Sequence, residues 1–349
     1  MRNEYRLLLE NLNDNLIKQI KSTKKIYVTG HINTDTDALA SAFAIKTIAN
    51  FYNADCQIIV DDPDYILKVN SMYNIVKVSE EKYDIINCQN LIKEDFEGSS
   101  LIIVDTSKRK LLAPVILANL TSFEDIFIID HHKADYDSVE SNNFFAFSAS
   151  STCEILTDII AKNHIPIDGK LATLLYSGIM LDTRDFKINI SQNTKKIIDY
   201  LIASGANIVE AKKILDLDDD EKKVFDALIN ENVHSYNIND QSIAICYFQT
   251  DENLNKKILG KAADALTKND HDMTKFDTTF VIGLIDNFIY ISARSHDGGI
   301  AVNEVLQKLK YGGGNHNSAG GNLPANVPIE EIEMQILEIL KTKTRSIHK

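Results

Sequence analysis

Tryptophan is absent from this sequence, and proline occurs 5 times in 349 residues. No apolar run approaches the ~18 uninterrupted residues of a membrane span. With so little proline and only 14 glycines, collagen-like and low-complexity classes are excluded. The four cysteines, Cys56, Cys88, Cys153 and Cys246, lie far apart and form no C-x-x-C pair, which rules out a zinc knuckle, a redox motif and a disulfide scaffold. They read as buried free thiols in a reducing compartment. Positive charge is also short: 37 Lys+Arg stand against 50 Asp+Glu, a net charge of -13, and no basic cluster is long enough to track a nucleic-acid backbone. Long duplex DNA or RNA is thereby excluded as a partner, whereas a small anion remains accessible where a bound cation inverts the local field. The opening MRNEYRLLLENLNDNLIKQIKS interrupts its apolar residues with charges, unlike a signal peptide. A soluble, cytoplasmic protein with no membrane partner is expected.

What is present is an ordinary globular composition, 44% hydrophobic, at a length that favours two domains with separate cores. Leu8, Leu9, Leu12, Leu16, Ile17 and Ile20 recur at helical spacing and predict an amphipathic helix over 5–22. Strand-length apolar runs follow at 26–29, 57–60, 101–105 and 126–130, separated by helical or loop-like stretches. That alternation predicts a mostly parallel sheet covered on both faces. TCEILTDIIAKN and KLATLLYSGIM read as two helices broken at Pro166 and Gly169, and the pattern stays helical to about 235. The acidic, Lys-rich run LDLDDDEKK reads as a solvated face or a connector. Beyond it, 242–248, 278–285 and 288–295 read as strands, with Asp286 and Asn287 in a tight hairpin turn. The predicted fold is α/β: an N-terminal domain over 1–215, a helical connector over 216–237, and a smaller α/β domain with a mixed sheet over 238–345.

Chemistry concentrates where apolar strands end. His31, Asp35 and Asp37 lie in the turn between the strand IYVT and the following helix, Asp105 ends LIIVD, and Asp130, His131 and His132 end IFIID. Asp182 follows the apolar stretch SGIM. Ionisable groups at the end of a buried strand are costly in a core and sensible at a ligand-binding edge. For the first cluster alone, an N-cap role for Asp37 and a loop role for His31 compete evenly with a site. Together, the carboxylates and histidines suffice for two divalent ions sharing one bridging carboxylate, as in metal-assisted phosphoester hydrolysis. Adjacent strand residues face opposite ways, so His131 and His132 are expected to play different parts.

In their order along the chain, His31-x-x-x-Asp35-x-Asp37, Asp105, Asp130-His131-His132 and Asp182 resemble the four motifs of the DHH phosphoesterases. Arg294-Ser295, Gly312-Gly313-Gly314-Asn315-His316 and Ser318-Ala319-Gly320 are similar to the DHHA1 substrate-binding domain, which separates the chain from family II inorganic pyrophosphatases. ASSTCEIL, SGIMLDTRDF and ISARS look most like the catalytic region of GdpP-type cyclic di-AMP phosphodiesterases. Two positions depart from the pattern: Asn315 stands where a fourth glycine is usual, and Ala301-Val302 where Asn-Val is common.

The resemblance implies that His31, Asp35 and Asp105 bind one metal and that Asp37, Asp105, His131 and Asp182 bind the other, most often manganese. Catalytic roles fall to His132, on the substrate phosphate, and Asp130, which supports it. Arg294, Ser295, Gly312, Gly313, Gly314 and His316 are expected to contact substrate in a cleft between the domains. Ser150, Ser151 and Thr152 read as the cap of the helix after them, with room for a substrate contact. The implied activity is hydrolysis of cyclic di-AMP or of linear pApA by a metal-activated water. The alternatives are a nanoRNase and 3'-phosphoadenosine-5'-phosphate phosphatase, and, in another class, a non-catalytic nucleotide sensor. A homodimer is implied by family analogy alone.

Overall fold

The computed structural model describes residues 2–32, 34–61, 85–132, 134, 136–141, 143–146, 149–248, 254–268, 275–285, 287–314 and 316–342. The chain divides into two compact units, Met1–Asp216 and Leu217–Lys349. The first opens with helix α1 (Arg2–Ser22), which buries Leu9, Leu12, Leu16 and Ile20 along one stripe and leaves Leu7 and Leu8 exposed. There follow β1 (Lys25–Thr29), α2 (Thr36–Phe51), β2 (Asp55–Val60), β3 (Ile85–Asn87), α3 (Lys93–Phe96), β4 (Ser100–Val104), α4 (Pro114–Ala118), β5 (Asp125–Asp130) and β6 (Asn143–Ala146). Helices α5 (Thr152–Lys162), α6 (Gly169–Asp182), α7 (Gln192–Ala203) and α8 (Ile208–Leu215) complete the unit.

The six strands form one sheet in the order β3-β2-β1-β4-β5-β6, and every pair is parallel. This bears out the predicted parallel sheet and adds two outer strands of three and four residues, too short to register as apolar runs. From β1 the chain winds outward to β3, then crosses back to β4 and winds the other way. The crevice outside the carboxyl ends of β1 and β4 is therefore the switch point where open α/β sheets bind ligands. Helix α2 covers this region, and its alanines let the sheet, α5 and α6 approach it on several sides.

The second unit comprises α9 (Asp219–Asn230), β7 (Val233–Ile238), β8 (Gln241–Phe248), α10 (Lys256–Leu266), β9 (Thr278–Ile285), β10 (Phe288–Ser295), α11 (Val302–Leu309), β11 (Gly312–Gly314), β12 (Ser318–Pro324) and α12 (Ile329–Thr342). Its sheet runs β11-β12-β10-β9-β8-β7 and is mixed, as expected, with only β8 and β9 parallel. Residues 216–237, expected as a connector, instead supply α9 and most of β7 to this unit. Val224 and Leu228 join its core, and β7 pairs with β8 as an edge strand. Within the acidic run Asp218 caps α9, and the buried Glu221 accepts from Asn255 and Lys257. Antiparallel pairing of β9 and β10 starts at Ile285 and Phe288, as a hairpin requires. Of its two turn residues, Asp286 lies outside the described residues.

Candidate metal centre

Each side chain of the centre is delivered by the end of an element. Beyond β1, His31 turns its Nε2 to within 3.7 Å of Asp35 Oδ2 and 3.6 Å of Asp105 Oδ2. Asp35, not Asp37, is the N-cap of α2: its Oδ1 accepts the Ala38 amide at 3.1 Å, which leaves Oδ2 for His31. Asp37 sits in the first helical turn, fully buried, and accepts the amides of Thr152 at 2.8 Å and Cys153 at 2.9 Å. Those amides belong to the first turn of α5, whose positive end faces the carboxylate.

Asp105 follows β4 with φ 61°, in the left-handed region that few non-glycine residues adopt. The turn divides its carboxylate between two neighbourhoods. Oδ1 lies 3.3 Å from His131 Nε2 and accepts the Thr152 hydroxyl at 3.1 Å, while Oδ2 faces His31. His131 Nε2 is also 3.1 Å from Asp182 Oδ2 at the end of α6. Both of those atoms are buried without a hydrogen-bond partner, as is Asp130 Oδ2. A buried nitrogen and oxygen left facing each other fit a cation between them better than a finished hydrogen-bond network.

Among the described residues, ligand atoms within 4.8 Å of one another form three groups: His31 with Asp35 and Asp105; Asp37 with Asp105, His131 and Asp182; and Asp105 with His131 and His132. Asp105 belongs to all three. This mixed imidazole and carboxylate set suits divalent ions such as manganese, magnesium, iron or zinc.

Charge in the centre is uneven. Burial works against protonated His31, but the carboxylates of Asp105 and Asp35 prevail and hold it at about 10. Burial likewise opposes protonation of His131, and Asp105 with Asp182 push it up to about 12. Asp105 is itself lowered, because His131 and His31 outweigh the cost of its burial. Burial raises Asp37 well above the usual carboxylate range, assisted by Asp105 and Asp182, and raises Asp182 to about 6. The field that holds protons on two imidazoles is one a divalent cation answers better.

Asp130 and His132 stand beside this cluster. Asp130 is fully buried, and its Oδ1 accepts the His132 amide at 3.0 Å and pairs with His132 Nδ1 at 2.8 Å. This carboxylate is the leading cause of the raised His132 pKa. The strand ends at Asp130, so strand alternation does not govern the two histidines. Their rings lie 4.1 Å apart, and His132 Nδ1 is 3.8 Å from Asp105. They differ in exposure instead, 14% for the His131 side chain against 56% for His132.

The residues expected on the second unit gather at one end of its sheet. Arg294 lies opposite Ser318, the Ser295 amide donates to Asn317 O at 2.9 Å, and the Val302 amide donates to His316 O at 3.0 Å. Gly312, Gly313 and Gly314 form edge strand β11 instead of a loop, and two of them would bring an added Cβ within 2.5 Å of β12 backbone. Arg294 Nε donates to Asp264 Oδ1 at 2.7 Å. Asn315 lies outside the described residues.

Sequence reasoning missed what holds the centre together. Ser151 is the cap of α5, as expected, but Thr152 uses its amide and hydroxyl on Asp37 and Asp105. Gly178 was passed over entirely. A Cβ there would sit 2.5 Å from Cys153 Sγ and 3.1 Å from the Asp37 backbone, so only glycine lets α6 close on α2 and α5. Asp264 was also missed, although Gly260 and Asp264 recur at the i, i+4 spacing of one helix face.

An all-parallel α/β unit with a carboxylate and imidazole centre at its switch point defines the class, an open α/β fold with a metal-capable site. Two family comparisons place the chain within it. The DHH family N-terminal domain matches residues 25–179, and the DHHA1 domain matches residues 240–345. The chain thus carries a DHH N-terminal domain followed by a DHHA1 domain.

It is 28% identical over 330 residues to cyclic-di-AMP phosphodiesterase PdeA of Listeria monocytogenes, covering 92% of this chain and 48% of that protein. It is 26% identical over 318 residues to the bifunctional oligoribonuclease and PAP phosphatase NrnA of Mycoplasma genitalium, covering 89% of this chain and 92% of that protein. Of the first curated relatives it matches, the chain spans between 36% and 58% of their own length. The crystal structure of an exopolyphosphatase-related protein from Bacteroides fragilis superposes with a TM-score of 0.76 at 18% identity, covering 97% of each chain, which shows the shared fold.

Proposed function

We propose that this chain is a metal-dependent phosphodiesterase acting on cyclic di-AMP, on linear pApA, or on both. The observation that carries this reading is the Asp105 carboxylate, shared among three groups of ligand atoms at the sheet's switch point. In this reading His31, Asp35 and Asp105 hold one divalent cation, and Asp37, Asp105, His131 and Asp182 hold a second. Manganese is the proposed ion. Cations bound there supply a water of lowered pKa and offset the charge of the phosphodiester.

The chain's own residues complete the site. Asp130 fixes His132 through Nδ1, which favours the charged imidazole and leaves Nε2 to donate to a phosphate oxygen. On the second unit, Arg294, whose Nε is held by Asp264 and whose Nη1 is held by Ser292 and the Ala293 carbonyl, is proposed to donate to substrate from Nη2, with Ser295, Gly312, Gly313, Gly314 and His316 around the same sheet end. A cytoplasmic protein that meets small nucleotides and pairs with a second copy completes the proposal. Among the described residues no helix is long and apolar enough to cross a membrane.

A second reading, oligoribonuclease and 3'-phosphoadenosine-5'-phosphate phosphatase, draws on the Mycoplasma relative, which aligns over nearly its whole length. Incubating the manganese-loaded protein with cyclic di-AMP, pApA, 3'-phosphoadenosine-5'-phosphate, a short RNA and pyrophosphate separates the readings by chromatography. Loss of cyclic di-AMP or pApA, abolished by chelator, is the expected result. Persistence of cyclic di-AMP while pApA, short RNA and 3'-phosphoadenosine-5'-phosphate are all consumed selects the second reading. Nucleotide binding without turnover under any divalent metal selects a sensor.

A further inference from the structure

Glu154 is 1% exposed, and no lysine or arginine accompanies its carboxylate in the hydrogen bonds around it. Four donors from three residues converge on it. Oε2 accepts the Ser150 amide at 3.0 Å, the Ser150 hydroxyl and the Thr194 hydroxyl at 2.9 Å, while Oε1 accepts Asn193 Nδ2 at 3.0 Å. Ser150 belongs to the turn entering α5, and Asn193 and Thr194 to the first turn of α7. Glu154 thus pins the N-terminus of α5 to a neighbouring helix from behind. Its own amide donates to the Ser151 cap at 3.1 Å, which leaves the Thr152 and Cys153 amides for Asp37.

We infer that Glu154 is a positioning residue for the second cation place, acting through α5 on Asp37 and Asp105; the inference rests on the two-cation reading above. The carboxylate bonds to Ser150, Asn193 and Thr194, none of them a proposed ligand. It fixes the height and rotation of the α5 first turn, and with them the two amides on Asp37 and the Thr152 hydroxyl on Asp105. A carboxylate suits this place because each of the four groups bonded to it is a donor, whereas a glutamine would turn an NH2 toward one of them. Its charge also lies near the positive end of α5, where it is favoured.

The test is manganese binding to the full chain, measured by isothermal titration and by the electron paramagnetic resonance of free Mn2+, alongside kcat, KM and Tm. Glu154→Gln is expected to weaken binding at one class of sites by about tenfold, the lower end for partners that orient metal ligands. The other class should be unchanged, and kcat should fall at fixed subsaturating manganese with KM for the nucleotide unchanged. Thr194→Val removes one donor and should shift the same class in the same direction by less, which keeps the test open if Glu154→Gln does not fold. Ile160→Val, at the far end of α5, should lower Tm without moving the isotherm. Isotherms of Glu154→Gln, or of Thr194→Val where the former is unfolded, that superimpose on wild type overturn the inference, as does an equal shift in Ile160→Val. Asp105→Asn separates the two levels: if it binds manganese as wild type does, the two-cation reading itself has failed.

Discussion

At the residue scale the centre depends on one strained backbone. Asp105 adopts a left-handed conformation directly after a buried strand, which costs roughly 1–2 kcal/mol for a non-glycine residue. In exchange, its two oxygens face different imidazoles. Asparagine tolerates the same backbone and keeps the shape, so Asp105→Asn should fold normally, as circular dichroism would show. Its turnover should drop by at least about 100-fold with loss of tight manganese binding. Normal turnover in that variant would remove Asp105 from the mechanism. The imidazoles give a second prediction with a definite sign. His31 and His131 stand at about 10 and about 12, so both carry protons at neutral pH before a cation enters. Only neutral imidazole is a ligand, so cation uptake releases protons and its apparent affinity rises with pH. Calorimetry in buffers of different ionisation enthalpy should show that release, and a binding enthalpy independent of buffer would contradict it.

At the element scale the centre is where the ends of β1, β4, β5 and α6 meet the starts of α2 and α5, and tight packing keeps them there. Gly178→Ala illustrates the balance. Alanine adds about 1 kcal/mol of helix propensity. Against this, its Cβ collides with buried Cys153 Sγ and the backbone of Asp37, and overpacking of this kind costs about 1–3 kcal/mol. The net expectation is a lower Tm together with weaker manganese binding, since Asp37 must shift; an unchanged Tm would show that α6 yields freely. In the second unit, Asp277 joins the start of β9 to β8. Burial disfavours its charge, but Lys268 and the Ser242 amide and hydroxyl overcome that and lower it to about 2. A carboxyl lowered on folding stabilises above its unfolded pKa and loses that contribution as pH falls through the folded one. Asp277→Asn should therefore be less stable than wild type at neutral pH, with the gap closing between about pH 4 and pH 2 in urea titrations.

At the scale of the whole molecule, a net charge of -13 and a carboxylate-rich centre both favour cation uptake. A ligand bound only by the folded state raises stability by mass action. Manganese should raise the unfolding temperature of wild type over that in chelator, and should not do so in Asp105→Asn; equal shifts in both would locate the metal elsewhere. All four cysteines are buried and free, and burial pushes Cys56, Cys88 and Cys246 up to about 12. Native protein should resist thiol alkylation that succeeds in denaturant.

The sequence by itself determined the ingredients. Apolar runs of strand length, each ending in Asp or His, are visible without a fold, because burial of the run and the cost of an ionisable group at its end are both local properties. Strand type, the mixed second sheet and the ligand candidates follow from that. Only the tertiary structure decided the arrangement. The order β3-β2-β1-β4-β5-β6 places His31 and Asp105 at a switch point, and no local pattern encodes which strand lies beside which. The left-handed turn at Asp105 brings it to His31, His131 and Thr152, and the α5 amides on Asp37 and the approach of Gly178 to Asp37 join residues more than 100 positions apart, as in the contact of Thr152 with Asp37 at a separation of 115. The acidic run before α9 misled for the same reason: its charges are local, whereas the core that accepts Val224 and Leu228 is built by strands that come later in the chain.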